Sequence, residues 1–367
     1  MNPTLAPLDI KARLPRLRSR LEHDELPAIL VTKLANVRYL TGFTGSAGML
    51  LVTASDALFV TDGRYRTQSA EQITGAQVAA RIEIGATMAA QRAFVAAAVA
   101  GFSKVGLEEH SVTGAERRDF VSVFSGLDVV AAGTQVEDLR RVKDAGEVAR
   151  VRAACAIADD AFQSLLAQLG TGITEKEFAL ALEFAMRERG ASGNSFDPII
   201  ASGPNGAMPH ARPSDRVIGR NELIVCDFGC IVDGYCSDMT RTVSVGDPGP
   251  DARRLYDVVL ESQAAGRAVV APDVACATVD KASRDVIDDA GWAELFSHST
   301  GHGVGLEIHE APRVASTARD TLLVGDVVTV EPGVYLPGVG GVRIEDTLVV
   351  TVAGAEPLTL TPKELVL

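Results

Sequence analysis

Two apolar segments in the later part of the chain each carry a pair of acids where a buried strand ordinarily tolerates no charge, and this limits what the chain can fold into. In LIVCDFGCIVDGYCSDMTRTVSV an apolar run bearing Asp227 meets an Asp233-Gly234 turn, followed by a second run bearing Asp238. Two such runs around an Asp-Gly dipeptide form a hairpin signature. The midpoint of the two acids falls within about one residue of the turn, so the ladder is expected to set them nearly opposite each other. VVTVEPGVYLPGVGGVRIEDTLVV repeats the device, with Glu331 and Glu345 flanking a Gly-rich turn at Gly338 to Gly341. Asp227 interrupts the run Leu223 to Cys226, and Glu331 directly follows Val327 to Val330. An unpaired carboxylate in such a strand is costly or surrenders its charge. Any one of these acids alone would read as a solvated surface group. Two facing pairs in buried strands instead require cations among them.

Four of the six histidines fall in two Gly/Pro-rich segments, ASGPNGAMPHARPSD and HSTGHGVGLEIHEAP. His298 and His302 have helical i,i+4 spacing, but Gly301, Gly303 and Gly305 argue for a tight backbone path instead. His302 is therefore taken as the single nitrogen ligand, with His298 orienting the site from behind. Asp227, Asp238, His302, Glu331 and Glu345 suffice for two ions sharing bridging carboxylates, and their hard oxygen donors suit Mn, Co, Fe or Zn. The expectation is a two-metal hydrolase. His210 and His309 are candidates for substrate contacts where an oxyanion develops, whereas His23 and His110 read as ordinary polar residues.

At 367 residues the chain is long enough for two domains. Up to about residue 135, strand-like PAILVT, MLLVTASDALFVTD, SKVGLEE and GLDVVAA alternate with helical Arg64 to Thr74 and Ala86 to Ala100, an α/β pattern. From about Val136 a long helical pattern begins, broken near Ala145-Gly146. Thr174 and Glu177 then form a capping box for the next helix. Helices are also expected over 250–270 and 274–290. We set the domains at 1–135 and 136–367, the first α/β and the second α+β.

A formal net charge of −13 argues against nucleic-acid or anionic-membrane partners. The N-terminal stretch has no uninterrupted apolar core after its charges, so a soluble cytoplasmic protein is expected. Five cysteines form no spaced framework. Cys226 and Cys230 lie at odd offsets from Asp227, so a strand points them to the opposite face, and they are expected to be reduced core residues rather than metal ligands.

GPNGAMPHARPSD, CDFGCIVDGYCSDMTRT, HSTGHGVGLEIHEAP, EPGVY and GVRIEDT, in that order, resemble the pita-bread metallopeptidases of the aminopeptidase P and prolidase branch. NVRYLTGFTGSAGMLLVT and FVTDGRY resemble the creatinase-type N-terminal domain that precedes the catalytic domain in that family. The resemblance implies two divalent ions, manganese first and cobalt or zinc next, held by Asp227, Asp238, His302, Glu331 and Glu345, with Asp238 and Glu345 bridging. It implies attack on an Xaa-Pro bond by a water or hydroxide held between the ions, with Glu331 as proton shuttle. His210 and His309 would steady the tetrahedral intermediate, and Tyr335, Arg343 and His298 would line the substrate site. Peptides with proline in second position are the implied substrates, and a homodimer the implied assembly. Methionine-aminopeptidase-like or creatinase-like hydrolysis and a non-catalytic binding role are the alternatives. Arg38, Arg64 and Arg66 are candidate clamps for a dipeptide carboxylate.

Overall fold

Strand β1 (Ala28–Val31) is buried at every position, as a strand covered on both faces must be. The computed structural model, which describes residues 5–367, divides into two compact units. In the unit Leu8–Arg140, β1 joins β2 (Met49–Thr53), β3 (Ala57–Thr61), β4 (Arg81–Ile84), β5 (Lys104–Leu107) and β6 (Asp128–Ala131) in a mixed sheet of order β4-β3-β2-β1-β5-β6. Helices α1 (Arg13–His23), α2 (Leu34–Thr41), α3 (Arg66–Gly75), α4 (Met88–Ala98) and α5 (Gly114–Val123) connect the strands. Leu30, Leu51, Val60, Val105 and Phe120 form its core.

The second unit contains residues 141–367 and, of the described residues, 5–7. Helix α6 (Glu137–Arg141) ends at the division between the units. Asp144 caps α7 (Ala145–Leu165) through a capping box with Glu147, which is where the helical pattern was expected to break. Thr174 and Glu177 cap α8 (Glu175–Glu188) in the same way. Glu175, fully buried in the first turn of α8, accepts hydrogen bonds from the backbone N–H and hydroxyl of both Ser202 and Ser214, at 2.6 to 3.0 Å, and so pins the loop that carries His210.

The remaining strands are β7 (Gly193–Asn194), β8 (Ile199–Ser202), β9 (Ile224–Phe228), β10 (Cys230–Val232), β11 (Tyr235–Cys236), β12 (Met239–Val243), β13 (Gly301–Gly303), β14 (Glu310–Val314), β15 (Val327–Val330), β16 (Gly333–Leu336), β17 (Gly340–Arg343), β18 (Asp346–Thr351) and β19 (Gly354–Pro357). They form sheets of order β12-β9-β8, β11-β10-β7 and β14-β13-β15-β18-β19, plus the hairpin β16-β17. Helices α9 (Pro250–Val269) and α10 (Cys276–Asp289) pack closely, with Ser262 and Ser283 each donating to the other's carbonyl. Phe162 lies 5.1 Å from Phe228 and 6.4 Å from Phe178, centroid to centroid, joining α7 and α8 to β9. Each such fully buried side chain contributes roughly 1.5–3 kcal/mol.

The first hairpin departs from expectation in one respect. Asp233 (φ 45°) and Gly234 (φ 79°) make the positive-φ turn that Asp-Gly favours. The register pairs Asp227 with Thr240, however, so Asp238 lies diagonally across from Asp227, in a break between β11 and β12. The midpoint of the two acids misses the turn centre by one residue, and that offset becomes a two-residue diagonal across the ladder. With a side-chain period of two, the diagonal still leaves both acids on one face. At the break, a Cβ on Gly229 would come within 1.9 Å of the Ser237 carbonyl oxygen, so only glycine fits. Among the described residues no helix is long and apolar enough to cross a membrane.

Candidate metal centre and its cavity

Alternation along β9 divides its residues between two environments. Ile224, Cys226 and Phe228 belong to the hydrophobic core, while Asp227 lines a cavity of about 700 Å³. All five cysteines are buried and free. Burial pushes the Cys230 and Cys236 thiols up to about 12, and none of the five lines the cavity that Asp227 faces.

In the second hairpin the register pairs Val330 with Asp346 and Gly333 with Arg343, which sets Glu331 and Glu345 opposite each other. Both acids sit where the chain leaves the five-stranded sheet for β16-β17 and the ladder is interrupted. Their backbone N–H groups turn elsewhere: Glu331 donates to the Thr300 carbonyl at 2.8 Å and Glu345 to the Thr240 carbonyl at 3.1 Å.

His302 is held by backbone packed too tightly for side chains. A Cβ on Gly301 would meet the Thr329 carbonyl oxygen at 2.0 Å, and one on Gly303 the Ala311 carbonyl oxygen at 2.2 Å. A register shift between His302 and Gly303 on β13 aims the ring. His302 Nδ1 lies 3.0 Å from the Gly303 carbonyl, which can only accept, so Nδ1 carries the proton. Nε2 then faces Glu331 Oε1 at 3.2 Å and Asp238 Oδ2 at 3.5 Å.

Ligating atoms of Asp238, His302 and Glu345 lie within 4.8 Å of one another. Burial, and then the charges of neighbouring acids, push the Asp238 and Glu345 carboxyls well above their usual range. Asp227 is raised by burial despite the opposing charge of Arg343. Burial also works against ionisation of Glu331, but His302, with a smaller contribution from Arg343, holds it down to about 2. Two buried oxygens, Asp227 Oδ1 and Glu345 Oε1, have no hydrogen-bond partner. Orphaned carboxylate oxygens in a crowd of like charges, with the Nε2 of His302 turned into the same crowd, fit a pair of divalent cations.

Behind the acids runs a directed chain of donors. Arg343 donates from Nη2 to Asp227 Oδ2 at 2.5 Å and from Nη1 to the Tyr335 oxygen at 2.7 Å. The Tyr335 hydroxyl can then spend its own proton on His298 Nε2 at 2.9 Å, while His298 Nδ1 donates to the Ser299 carbonyl at 2.8 Å. This makes His298 neutral, in line with its lowered pKa, which comes from burial and the charge of Arg343. Arg343 is buried and bound to Asp227, and Tyr335 lies behind it, buried and away from the cavity lining. His210 and His309 are exposed and line the cavity, with the His309 ring 4.3 Å from that of His302. Partial burial and then the charge of His302 lower the His309 pKa. His23, His110, Arg38, Arg64 and Arg66 belong to the other unit, where Arg64 forms a two-bond pair with Asp62.

Sequence reasoning missed Thr240. Its hydroxyl donates to Glu345 Oε2 at 2.8 Å and accepts from Arg343 Nε at 3.2 Å. It lies two residues after Asp238, so strand alternation alone could have put it on the same face. Arg212, Arg313 and the apolar wall of Phe196, Ile199, Ala211 and Ile308 were also missed, and these positions carry no periodic signal.

The model of metallopeptidase family M24 matches residues 149–352, and that of the creatinase/prolidase N-terminal domain matches residues 13–142. The uncharacterized peptidase YqhT of Bacillus subtilis is 40% identical over 97% of this chain and 99% of its own. Among solved structures, the Xaa-Pro dipeptidase from Bacillus anthracis superposes with a TM-score of 0.93 at 39% identity, covering 98% of this chain and 100% of that one. The X-Pro aminopeptidase from Thermotoga maritima gives 0.86 at 34% identity, covering 95% and 100%.

Proposed function

The chain belongs to metallopeptidase family M24, and on that footing we propose that it is a metal-dependent exopeptidase that hydrolyses the Xaa-Pro bond of dipeptides or at the N-terminus of peptides. The observation that carries this reading is the convergence of four acids and His302 Nε2 on one cavity, with Asp227 Oδ1 and Glu345 Oε1 left without partners. Asp227, Asp238, His302, Glu331 and Glu345 would hold two divalent ions, and their oxygen-dominated donor set favours manganese. When bound, such ions polarise a peptide carbonyl and lower the pKa of water.

The chain's own residues supply the rest. Glu331, held ionised by His302, is placed to accept a proton and pass it to the leaving nitrogen. His210 and His309, exposed over the cavity, are placed to hydrogen-bond the substrate carbonyls as charge builds there. A prolyl peptide bond has no N–H, so a site that cleaves it must recognise the ring by shape. Phe196, Ile199, Ala211 and Ile308 offer an apolar wall for that purpose. Arg212 and Arg313 add exposed guanidinium groups to the lining, suited to a terminal carboxylate.

The test is hydrolysis of Ala-Pro, Ala-Pro-Ala and Ala-Ala-Ala by metal-stripped protein resupplied with manganese. Cleavage of Ala-Pro alone makes the chain a dipeptidase, and cleavage of the tripeptide at its prolyl bond an aminopeptidase. Cleavage of Ala-Ala-Ala alone, or of nothing with any divalent metal, refutes the proline reading.

A further inference from the structure

The two ligand-bearing hairpins belong to different sheets, and no strand ladder joins them where their acids meet. Thr240 lies on β12, beside Asp238, and Glu345 lies in the break before β18. One backbone hydrogen bond, Glu345 N–H to the Thr240 carbonyl at 3.1 Å, crosses between them there. Beside it sits Arg241, with a side chain only 2% exposed. Its Nη1 donates to the carbonyls of both Thr240, at 2.9 Å, and Glu345. Nε and Nη2 donate to the Thr361 carbonyl at 3.0 and 2.8 Å, and Nη2 also to Asp346 Oδ1 at 2.9 Å. Asp346 in turn receives Gln263 at 3.0 Å, Arg267 at 3.0 Å and Lys363 at 2.7 Å. Asp159 grips the backbone N–H groups of Leu360 and Thr361 at 2.8 and 2.9 Å, fixing the carbonyl that Arg241 uses.

A buried guanidinium is hard to accommodate, and three of its partners here, at Thr240, Glu345 and Thr361, are backbone carbonyls that a neutral donor could satisfy. Its distinctive feature is that it bridges the two hairpins at the residues carrying Glu345 and the Thr240 hydroxyl that orients it. We infer that Arg241 is a positioning residue that sets the spacing between the two acid pairs, and through it the affinity for the second metal ion. This rests on the two-metal reading above. Arg241 touches neither cavity nor substrate, so its effect should fall on metal retention and turnover rather than on KM.

The experiment is calorimetric titration of manganese into the metal-stripped full chain, paired with electron paramagnetic resonance of the loaded protein. Wild type is expected to take up two ions with a spin-coupled signal. Arg241→Lys keeps the charge but cannot span both carbonyls and Thr361. It is expected to weaken one site by about 10–100-fold, the usual range for groups supporting metal ligands. It should also diminish the coupled signal, and at limiting manganese lower kcat on Ala-Pro with KM unchanged. Lys363→Met, which removes a partner of Asp346 without touching either hairpin carbonyl, is expected to titrate like wild type. Wild-type affinity at both sites in Arg241→Lys, or equal weakening of both, overturns the inference. If Arg241→Lys does not fold by circular dichroism, Asp159→Asn carries the test, because it leaves Arg241 in place and loosens Thr361. A folded Asp159→Asn with unaltered affinity and signal overturns the inference as well. A wild-type chain that binds no manganese sinks the two-metal reading itself, a result distinguishable from all of these.

Discussion

Glu345 and Asp346 are adjacent, both buried, and opposite in how the chain treats them. Asp346 receives Arg241, Arg267 and Lys363, and although burial opposes it, those charges draw its pKa below the usual value. Glu345 has one hydrogen-bonded oxygen and one orphan, and burial pushes its pKa well up. The protein neutralises one carboxylate from within and leaves its neighbour to be neutralised from outside. Burial of an acid therefore does not mark a site; burial without an internal partner does.

The largest expected effect falls on the outward-facing set. Asp238→Ala should abolish Ala-Pro hydrolysis, and near-wild-type turnover with stoichiometric metal would break the comparison at its centre. On the inward-facing side, Asp346→Asn leaves three cations around a neutral amide and should cost about 3–5 kcal/mol in urea unfolding. Because the folded pKa of Asp346 lies below its ordinary 3.8, its contribution is present above that pH and is lost as pH falls through the folded value. The deficit of Asp346→Asn should therefore shrink in acid.

Asp238 and Glu345 have the opposite sign. Their folded pKa values lie above the ordinary 3.8 and 4.5, so the metal-free fold holds extra protons and loses stability as pH rises through that range. Metal binding displaces those protons, so the stability it confers rises with pH. Thermal unfolding at about pH 5.5 and about pH 8, with and without manganese, checks the reversal; parallel pH profiles would contradict it. The smallest effect is expected at Glu175→Gln, where one carboxylate serving five donors, from Ser202, Asn205 and Ser214, becomes an amide. A loss of roughly 1–3 kcal/mol, with altered kinetics through the His210 loop, would sharpen the view that inward-facing acids hold loops.

How far the sequence disclosed this depended on whether a feature is local. The capping box at Thr174 and the Asp233-Gly234 turn depend on residues a few positions apart, and each was legible, as was the break at Ala145-Gly146, though not the Asp144 capping box behind it. The Glu331–Glu345 pairing was legible although its turn was read slightly late: Leu336 pairs with Gly340, so the turn is 337–339 and Gly340 and Gly341 belong to β17. The Asp227–Asp238 diagonal was less so, since a one-residue offset from the turn is within the error of reading a pattern. The Arg343–Tyr335–His298 chain could be suspected only as a set of polar residues. Its direction depends on which atom can solely donate, and that needs coordinates. Arg241 left no signal, because its partners, Glu345 and Thr361, lie 104 and 120 residues away.

The glycines that hold His302 have a consequence for how this cavity can change over generations. On their side the wall is backbone against backbone, and any side chain at Gly301 or Gly303 would strike a carbonyl. Phe196, Ile199 and Ala211, by contrast, are apolar residues of the cavity lining that carry side chains. Mutation is thus channelled: one wall admits almost no substitution, while the apolar lining can be resized one residue at a time. A lineage built on this scaffold can exchange the amino acids it prefers in its substrates without reopening the arrangement that breaks the bond.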